Sequence, residues 1–370
     1  MIGPTATGVR FVQHGGSAHR PLPDRCTTED GDAEARSPRS SSHALCVAPM
    51  MEWTDRHCRM FHRLFAPHAI LYTEMVTTGA LLHGPRERLL AHTIAEHPVA
   101  FQIGGSEPNE LARCAAWVEA AGYAEINLNV GCPSGRVQRG AIGACLMAEP
   151  ARVAEGVRAM RDVVSIPVTV KCRLGIDDQD DYPFLKRFVA AVEEAGCTTL
   201  MVHARKAILS GLTPAQNREV PPLDHARVHR LKRDFPDLTI VLNGGLSCVA
   251  DVVTHLASVD GVMIGRAAYR NPWLLAELDR ALFGTPLPPS RRTILGRFLP
   301  YVEREIASGT RLFDIARHLH GLFLGCRGAA RYRRALSDLS RIDDGAVQPL
   351  LDAAALVFEA SDAEVACSSV

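Results

Sequence analysis

Residues 168–204 read VTVKCRLGIDDQDDYPFLKRFVAAVEEAGCTTLMVHA. A β-branched apolar run, Val168 to Arg173, leads through a polar turn to a segment with helical apolar spacing, Tyr182 to Ala195, and then to a second apolar run, Leu200 to Ala204. Two strands separated by a helix of this length form a βαβ unit, which joins parallel strands. The alternation continues in both directions. Strand-like runs occur at Cys46 to Met50, Ile70 to Met75, Val99 to Ile103, Glu125 to Val130, Val168 to Arg173, Leu200 to Ala204, Thr239 to Asn243 and Val262 to Gly265, eight in all. Helical segments lie between them, among them Pro108 to Ala121, Ala151 to Asp162 and Asp224 to Asp234, and Trp273 to Phe283 follows the eighth run. Eight strand-then-helix units over roughly 240 residues predict an α/β fold, a (β/α)8 TIM barrel; a doubly wound sheet usually has fewer strands.

The flanks read differently. Residues 1–44 are rich in Pro, Ser, Gly and charge without apolar periodicity, and are expected to be a disordered tail. The barrel is expected over residues 45–285. The breaker cluster Thr285-Pro286-Leu287-Pro288-Pro289-Ser290 then marks a boundary, and residues 286–345 carry helical patterns without strand signals. They are read as a small all-helical domain, with residues 346–370 as a C-terminal helix and tail. From Arg291 to Arg341 eleven Arg stand against four acidic residues, although the whole chain has zero formal net charge. Any nucleic-acid surface must therefore come from that local excess.

Hydrophobic residues make up 47% of the chain, and no apolar stretch is long enough to span a membrane, so no membrane is expected as a partner. The eleven cysteines are scattered and contain no Cys-x-x-Cys pair; a reducing compartment is the simpler reading than a disulfide framework, and no metal is expected. The N-terminal stretch has arginines but no apolar core of a secretory signal, so the expected location is cytoplasmic. No stable protein partner is expected.

Barrel chemistry sits at the C-terminal ends of the strands. There this chain offers Ala48-Pro49-Met50 after the first strand, Gln102 on the third, Asn129-Val130-Gly131-Cys132-Pro133 at the fourth, Lys171 and Arg173 on the fifth, and His203 and Arg205 at the sixth. The seventh ends in Asn243-Gly244-Gly245 and the eighth in Gly265-Arg266. Glycines after strands seven and eight let backbone N–H groups approach phosphate oxygens, and Arg266 adds charge, so a phosphate ligand is expected. A lysine at a barrel strand end serves either as a Schiff base or as a fixed cation beside a developing anion. Next to a flavin, Lys171 would face the anionic pyrimidine edge, and Gln102 and His203 could hydrogen-bond the same ring. Cys132 stands at a rigid turn before proline, and a thiol of ordinary acidity is mostly protonated at neutral pH, which suits a general acid. Spacing alone leaves these roles open.

The run Asn129-Val130-Gly131-Cys132-Pro133, followed by Val137 and by Gly143-Ala144, resembles the signature of tRNA-dihydrouridine synthases, and the similarity extends from about Cys46 to about Ser337. Val47-Ala48-Pro49-Met50-Met51 with Trp53-Thr54-Asp55-Arg56, Gly175-Ile176-Asp177-Asp178-Gln179-Asp180, and Asn217-Arg218-Glu219 before Pro221-Pro222-Leu223 look like the A subfamily, which acts on D-loop uridines 20 and 20a. The resemblance implies FMN held by Ala48, Pro49, Met50, Gln102, Lys171, His203, Asn243, Gly244, Gly245, Gly265 and Arg266, with NADPH as reductant. It implies that Cys132 protonates C5 of uracil while hydride reaches C6, that the helical domain of residues 286–345 binds tRNA, and that Asn129, Arg218, Arg331 and Arg334 contact tRNA. Three positions depart from the pattern: Ala215 where Lys is frequent, Ile208 where an aromatic is common, and Ile142 in place of Phe or Met.

Three other functions compete. An FMN barrel reductase acting on a free pyrimidine would need the barrel but not the basic helical segment. A Schiff-base lyase using Lys171 would leave Cys132 without a role, and an RNA-binding protein without turnover would leave both Cys132 and Lys171 without one.

Overall fold

A computed structural model describes residues 42–341 and 345–367. Eight parallel strands close into a barrel: β1 (Leu45–Val47), β2 (Ile70–Tyr72), β3 (Val99–Gly104), β4 (Glu125–Val130), β5 (Val168–Arg173), β6 (Thr199–His203), β7 (Thr239–Asn243) and β8 (Gly261–Ile264). Closure comes from β8 against β1, with Val262 opposite Leu45 and Ile264 opposite Val47. The fold expected from the eight alternating runs is the one found.

Alternation at period two explains why these runs form a barrel rather than an open sheet. Outward residues such as Val47, Leu71, Phe101, Ile126, Leu128, Val170, Val202 and Leu242 pack in one large core under the helices. Inward residues form a second, small cluster of Cys46, Ala48, Ile70, Tyr72, Ala100, Met201, Val241 and Met263. The remaining inward positions are polar, and they make the site described below.

The helices that follow successive strands are α1 (Arg56–Arg63), α2 (Thr78–His83), α3 (Pro108–Ala120), α4 (Pro150–Arg161), α5 (Tyr182–Glu194), α6 (His225–Asp234), α7 (Val249–His255) and α8 (Trp273–Phe283). Their starts are chemically marked: Asp181 accepts from Phe184 N at 2.7 Å, and Asp224 accepts from Arg227 N at 2.9 Å. Gly284 at φ +75° ends α8.

Two strands are shorter than their apolar runs. β1 stops at Val47 because Ala48 N makes the last bond, to Ile264 O at 2.8 Å, and Pro49 has no N–H to continue. β2 breaks after Tyr72 where the Thr73 hydroxyl turns back on Glu74 O, and Val76–Thr77 then resumes as a short strand beside the end of β3.

Beyond residue 285 the described residues contain helices only: α9 (Arg291–Ala307), α10 (Leu312–Ala316), α11 (Ala329–Asp338) and α12 (Gln348–Cys367). They belong to the same compact unit as the barrel. α9 docks on α1, where Arg56 pairs with Glu305, His57 Nδ1 lies 2.7 Å from the Tyr301 hydroxyl, and Phe61 meets Phe298. Of the expected N-terminal tail, residues 1–41 lie outside the described residues, while His43 and Ala44 at its end are buried at the base of the barrel.

Candidate active site

The mouth is assembled from the C-terminal ends of all but one of the strands. After β1, Ala48, Pro49 and Met50 form a loop that the Thr54 side chain closes, its Oγ1 accepting from Met50 N at 2.9 Å. Asp55 caps α1 through His57 N and Cys58 N, and its other oxygen accepts from Arg317 and His318 at 2.7 and 2.9 Å. Trp53 stacks on Tyr269 with ring centroids 4.3 Å apart, so the β1 loop is also tied to the segment after β8.

The loop after β4 is held from both sides. Asn129 Oδ1 accepts from the backbone N–H groups of Gly131 and Cys132, at 3.1 and 3.0 Å, and Ala144 N donates to Cys132 O at 2.9 Å. Gly143 must be glycine there: it sits at φ +80°, and a Cβ would stand 2.6 Å from Cys132 O. Cys132 is thereby fixed, half-buried, at the mouth.

Beside it lie two cations whose hydrogen bonds go only to neutral oxygens. Lys171 Nζ donates to Asn243 Oδ1 at 3.0 Å, and burial with Arg173 nearby lowers its amine to about 8. Arg173, 4% exposed, donates to Gly131 O, Lys206 O and Asn217 O, and burial lowers it to about 10. Among the described residues neither has a carboxylate partner within ion-pair distance. Burial, then Arg173, Lys171, Arg205 and Arg266, push His203 well below the ordinary imidazole range, so it is neutral at pH 7. A mouth this rich in positive charge favours an anionic ligand.

Asn243 Nδ2 donates to Met263 O at 2.7 Å, which locks its amide so that Oδ1 faces Lys171. Gly244 and Gly245 follow at φ +109° and +78°; a Cβ on Gly244 would stand 2.7 Å from His203 Cδ2. Gly265 approaches Ala48, with 3.9 Å between its added Cβ and that of Ala48. Arg266 pairs with Glu219 at 2.7 Å and donates to Arg218 O at 3.3 Å. The structure thus gathers Ala48, Pro49, Met50, Gln102, Asn129, Cys132, Lys171, His203, Asn243, Gly244, Gly245, Gly265 and Arg266 around one mouth, with exposed Arg218 at its rim. Arg331 and Arg334 are elsewhere, on the exposed side of α11, where Arg331 donates to Leu356 O. Ala215 is exposed in the β6 loop, and Ile142 is buried behind the Cys132 loop.

A dihydrouridine synthase family model matches residues 46–358. The chain belongs to the dihydrouridine synthase family. It is 57% identical over 296 residues to the tRNA-dihydrouridine(20/20a) synthase of Vibrio cholerae, covering 80% of this chain and 90% of that protein. To the proteins of that name from Pseudomonas putida and Escherichia coli it is 56% identical over 297 residues and 55% over 299, covering 80% of this chain and 88% and 90% of theirs. These relatives bear out the resemblance to the A subfamily.

Some residues of the dihydrouridine synthase site were not singled out by strand-end reasoning. Glu125, Asn127 and Thr169 lie deeper in the barrel, all essentially buried. Asn217, fully buried, pins the β6 loop by exchanging hydrogen bonds with Ile208 N and O, and its own carbonyl receives Arg173. The readable signal was the alternation Glu125, Asn127, Asn129 on one face of a strand buried on both sides. No helix among the described residues is long and apolar enough to cross a membrane, and among them no cluster of His, Cys, Asp and Glu suits a metal.

Proposed function

We propose that the protein reduces uridines 20 and 20a in the tRNA D-loop, using FMN and NADPH, with Cys132 as the proton donor to C5. The observation that carries this reading is the Cys132 loop, clamped by Asn129 Oδ1 and Ala144 N directly beside Lys171 and Arg173, two enclosed cations without carboxylate partners. The residues fit the cofactor. A flavin mononucleotide has one phosphate for the Gly244-Gly245 and Gly265-Arg266 loops, and an electron-accepting pyrimidine for the Lys171 ammonium. His203 is neutral and acts as a hydrogen-bonding group rather than a third cation. When bound, reduced FMN supplies hydride to C6 of uracil, and NADPH supplies it to FMN.

The chain's own groups do the rest. Asn129 holds the Cys132 N–H and so sets the thiol's place over the substrate ring. Cys132 gives its proton to C5, a step that general acids accelerate by about 10²- to 10⁴-fold. A uridine stacked in folded RNA must be turned outward to reach the mouth, so phosphate contacts have to position the tRNA. Arg218 at the rim and exposed Arg331 and Arg334 supply cations for them. The names of the relatives support tRNA positions 20 and 20a as the target. The scattered cysteines, with no Cys-x-x-Cys pair among them, support action in the reducing cytoplasm.

The test is incubation of purified protein with FMN, NADPH and an unmodified tRNA transcript, alongside free uridine. Dihydrouridine at positions 20 and 20a of the tRNA, with free uridine unreacted, is the expected result. Reduction of free uridine at a comparable rate would instead establish a reductase of free pyrimidines.

A further inference from the structure

A continuous row of side chains crosses the barrel interior from its floor to the Cys132 loop. At the floor His43 Nε2 lies 2.6 Å from Glu125 Oε2. Glu125 Oε1 accepts from the Tyr72 hydroxyl at 2.7 Å and from the Thr169 hydroxyl at 2.6 Å. Thr169 Oγ1 accepts from Asn127 Nδ2 at 2.8 Å, a nitrogen that also touches Met201 Sδ at 3.5 Å. Asn127 Oδ1 accepts from Gln102 Nε2, and Gln102 Oε1 accepts from Asn129 Nδ2, both at 2.8 Å. Strand register creates the row: Gln102 stands opposite Asn127 across β3 and β4, and Asn127 opposite Thr169 across β4 and β5.

Both ends of this row have an unambiguous polarity. At the floor the Tyr72 and Thr169 hydroxyls both donate to Glu125 Oε1, so that oxygen is an acceptor. At the other end the N–H groups of Gly131 and Cys132 can only donate, so Asn129 Oδ1 must accept. Every amide between the ends is therefore oriented in one sense. Rotating any one of them by half a turn sets donor against donor or acceptor against acceptor inside a dry barrel.

We propose that Glu125 is a positioning residue: acting through Thr169 and Asn127 from the barrel floor, it fixes which atoms Gln102 and Asn129 present and holds the Cys132 loop in register. The role rests on the functional reading above for its purpose, since Gln102 and Cys132 are the groups that reading assigns to cofactor and substrate. The geometry itself needs neither ligand.

The experiment uses the full chain without added cofactor and follows iodoacetamide alkylation of Cys132 by peptide mass spectrometry, with half-buried Cys326, beyond the barrel, as the internal reference. Thr169→Val keeps the shape and removes the relay hydroxyl. It should change the Cys132 alkylation rate roughly fivefold relative to that reference, the factor that one buried hydrogen bond of about 1 kcal/mol corresponds to. Thr169→Ser restores the hydroxyl and should restore the rate. Asn127→Leu cuts the row one link later, beside Met201, and should reproduce the Thr169→Val change; it serves as the test if Thr169→Val does not fold. An unchanged Cys132 rate in a folded Thr169→Val or Asn127→Leu protein overturns the role, and so does a Thr169→Ser protein as altered as Thr169→Val. Neither result bears on whether wild-type protein makes dihydrouridine, so failure of the positioning role and failure of the functional reading are separable.

Discussion

Replacing Lys171 by Met should make the cofactor-free protein more stable while weakening its hold on FMN. Burial, with Arg173 adding repulsion, brings the Lys171 amine from 10.5 to about 8. Carrying the charge in the fold therefore costs roughly 3 kcal/mol, at about 1.36 kcal/mol per pH unit. Solvent at the open mouth screens part of this, leaving about 1–3 kcal/mol, and loss of the bond to Asn243 Oδ1 subtracts about 1 kcal/mol. Below about pH 8 the amine is protonated in both folded and unfolded chains, so the cost, and the gain from Lys171→Met, is complete. From about 8 to 10.5 only the unfolded chain keeps the proton, so the wild-type protein gains stability as pH rises and the difference closes. Urea unfolding of both proteins at pH 7 and pH 10 measures this directly. Met is unbranched and close to the lysine stem in volume, so packing changes little. Loss of a cation facing an anionic ring should raise the FMN dissociation constant about tenfold or more, a change of about 1.4 kcal/mol. A Lys171→Met protein less stable than wild type at pH 7, or one whose stability difference is the same at both pH values, would refute the argument that this ammonium is held at a cost for a ligand.

Three further outcomes are expected. Cys132→Ala should keep FMN, tRNA affinity and flavin reduction by NADPH, yet slow flavin reoxidation by tRNA about 10²- to 10⁴-fold in stopped-flow absorbance; reoxidation within a few-fold of wild type would remove Cys132 as the acid. The double change Arg331→Ala with Arg334→Ala should lower the slope of log affinity against log salt for tRNA by roughly one unit per lost phosphate contact while leaving FMN binding intact, and an unchanged slope would make that face of α11 simple solvated surface. Gly244→Ala, at φ +109° and with its new Cβ 2.7 Å from His203 Cδ2, should cost about 1–3 kcal/mol in urea unfolding and weaken FMN binding, whereas a protein as stable as wild type would mean that this turn tolerates a side chain.

The barrel was legible because its strands face two different solvents at once. Outward residues meet helices and must be apolar, which produced runs readable without any structure, so that Glu125–Val130, Val168–Arg173, Thr239–Asn243 and the helix Trp273–Phe283 were bounded correctly. Errors fell where a single group decides an end: Pro49 has no N–H for β1, and the Thr73 hydroxyl donates to Glu74 O just after β2. The rim was legible too, because the ends of barrel strands are where polar side chains are expected, and Lys171, His203 and Asn243 proved to be neighbours there.

The floor was not legible, for a reason specific to buried polar groups. A carboxyl inside a barrel is costly when isolated and acceptable when every atom is partnered, and the partners of Glu125 come from Tyr72, Thr169 and His43, 53, 44 and 82 residues distant in the chain. The period-two series Glu125, Asn127, Asn129 announces that something polar must satisfy it, but naming that something requires the register that sets Asn127 opposite both Gln102 and Thr169. The same applies to Arg173, whose three carbonyl acceptors lie on two loops far apart in the chain, Gly131 after β4 and Lys206 and Asn217 after β6. Side chains at the mouth can be read from their place on a strand, while those that hydrogen-bond behind them are defined by pairs of strands.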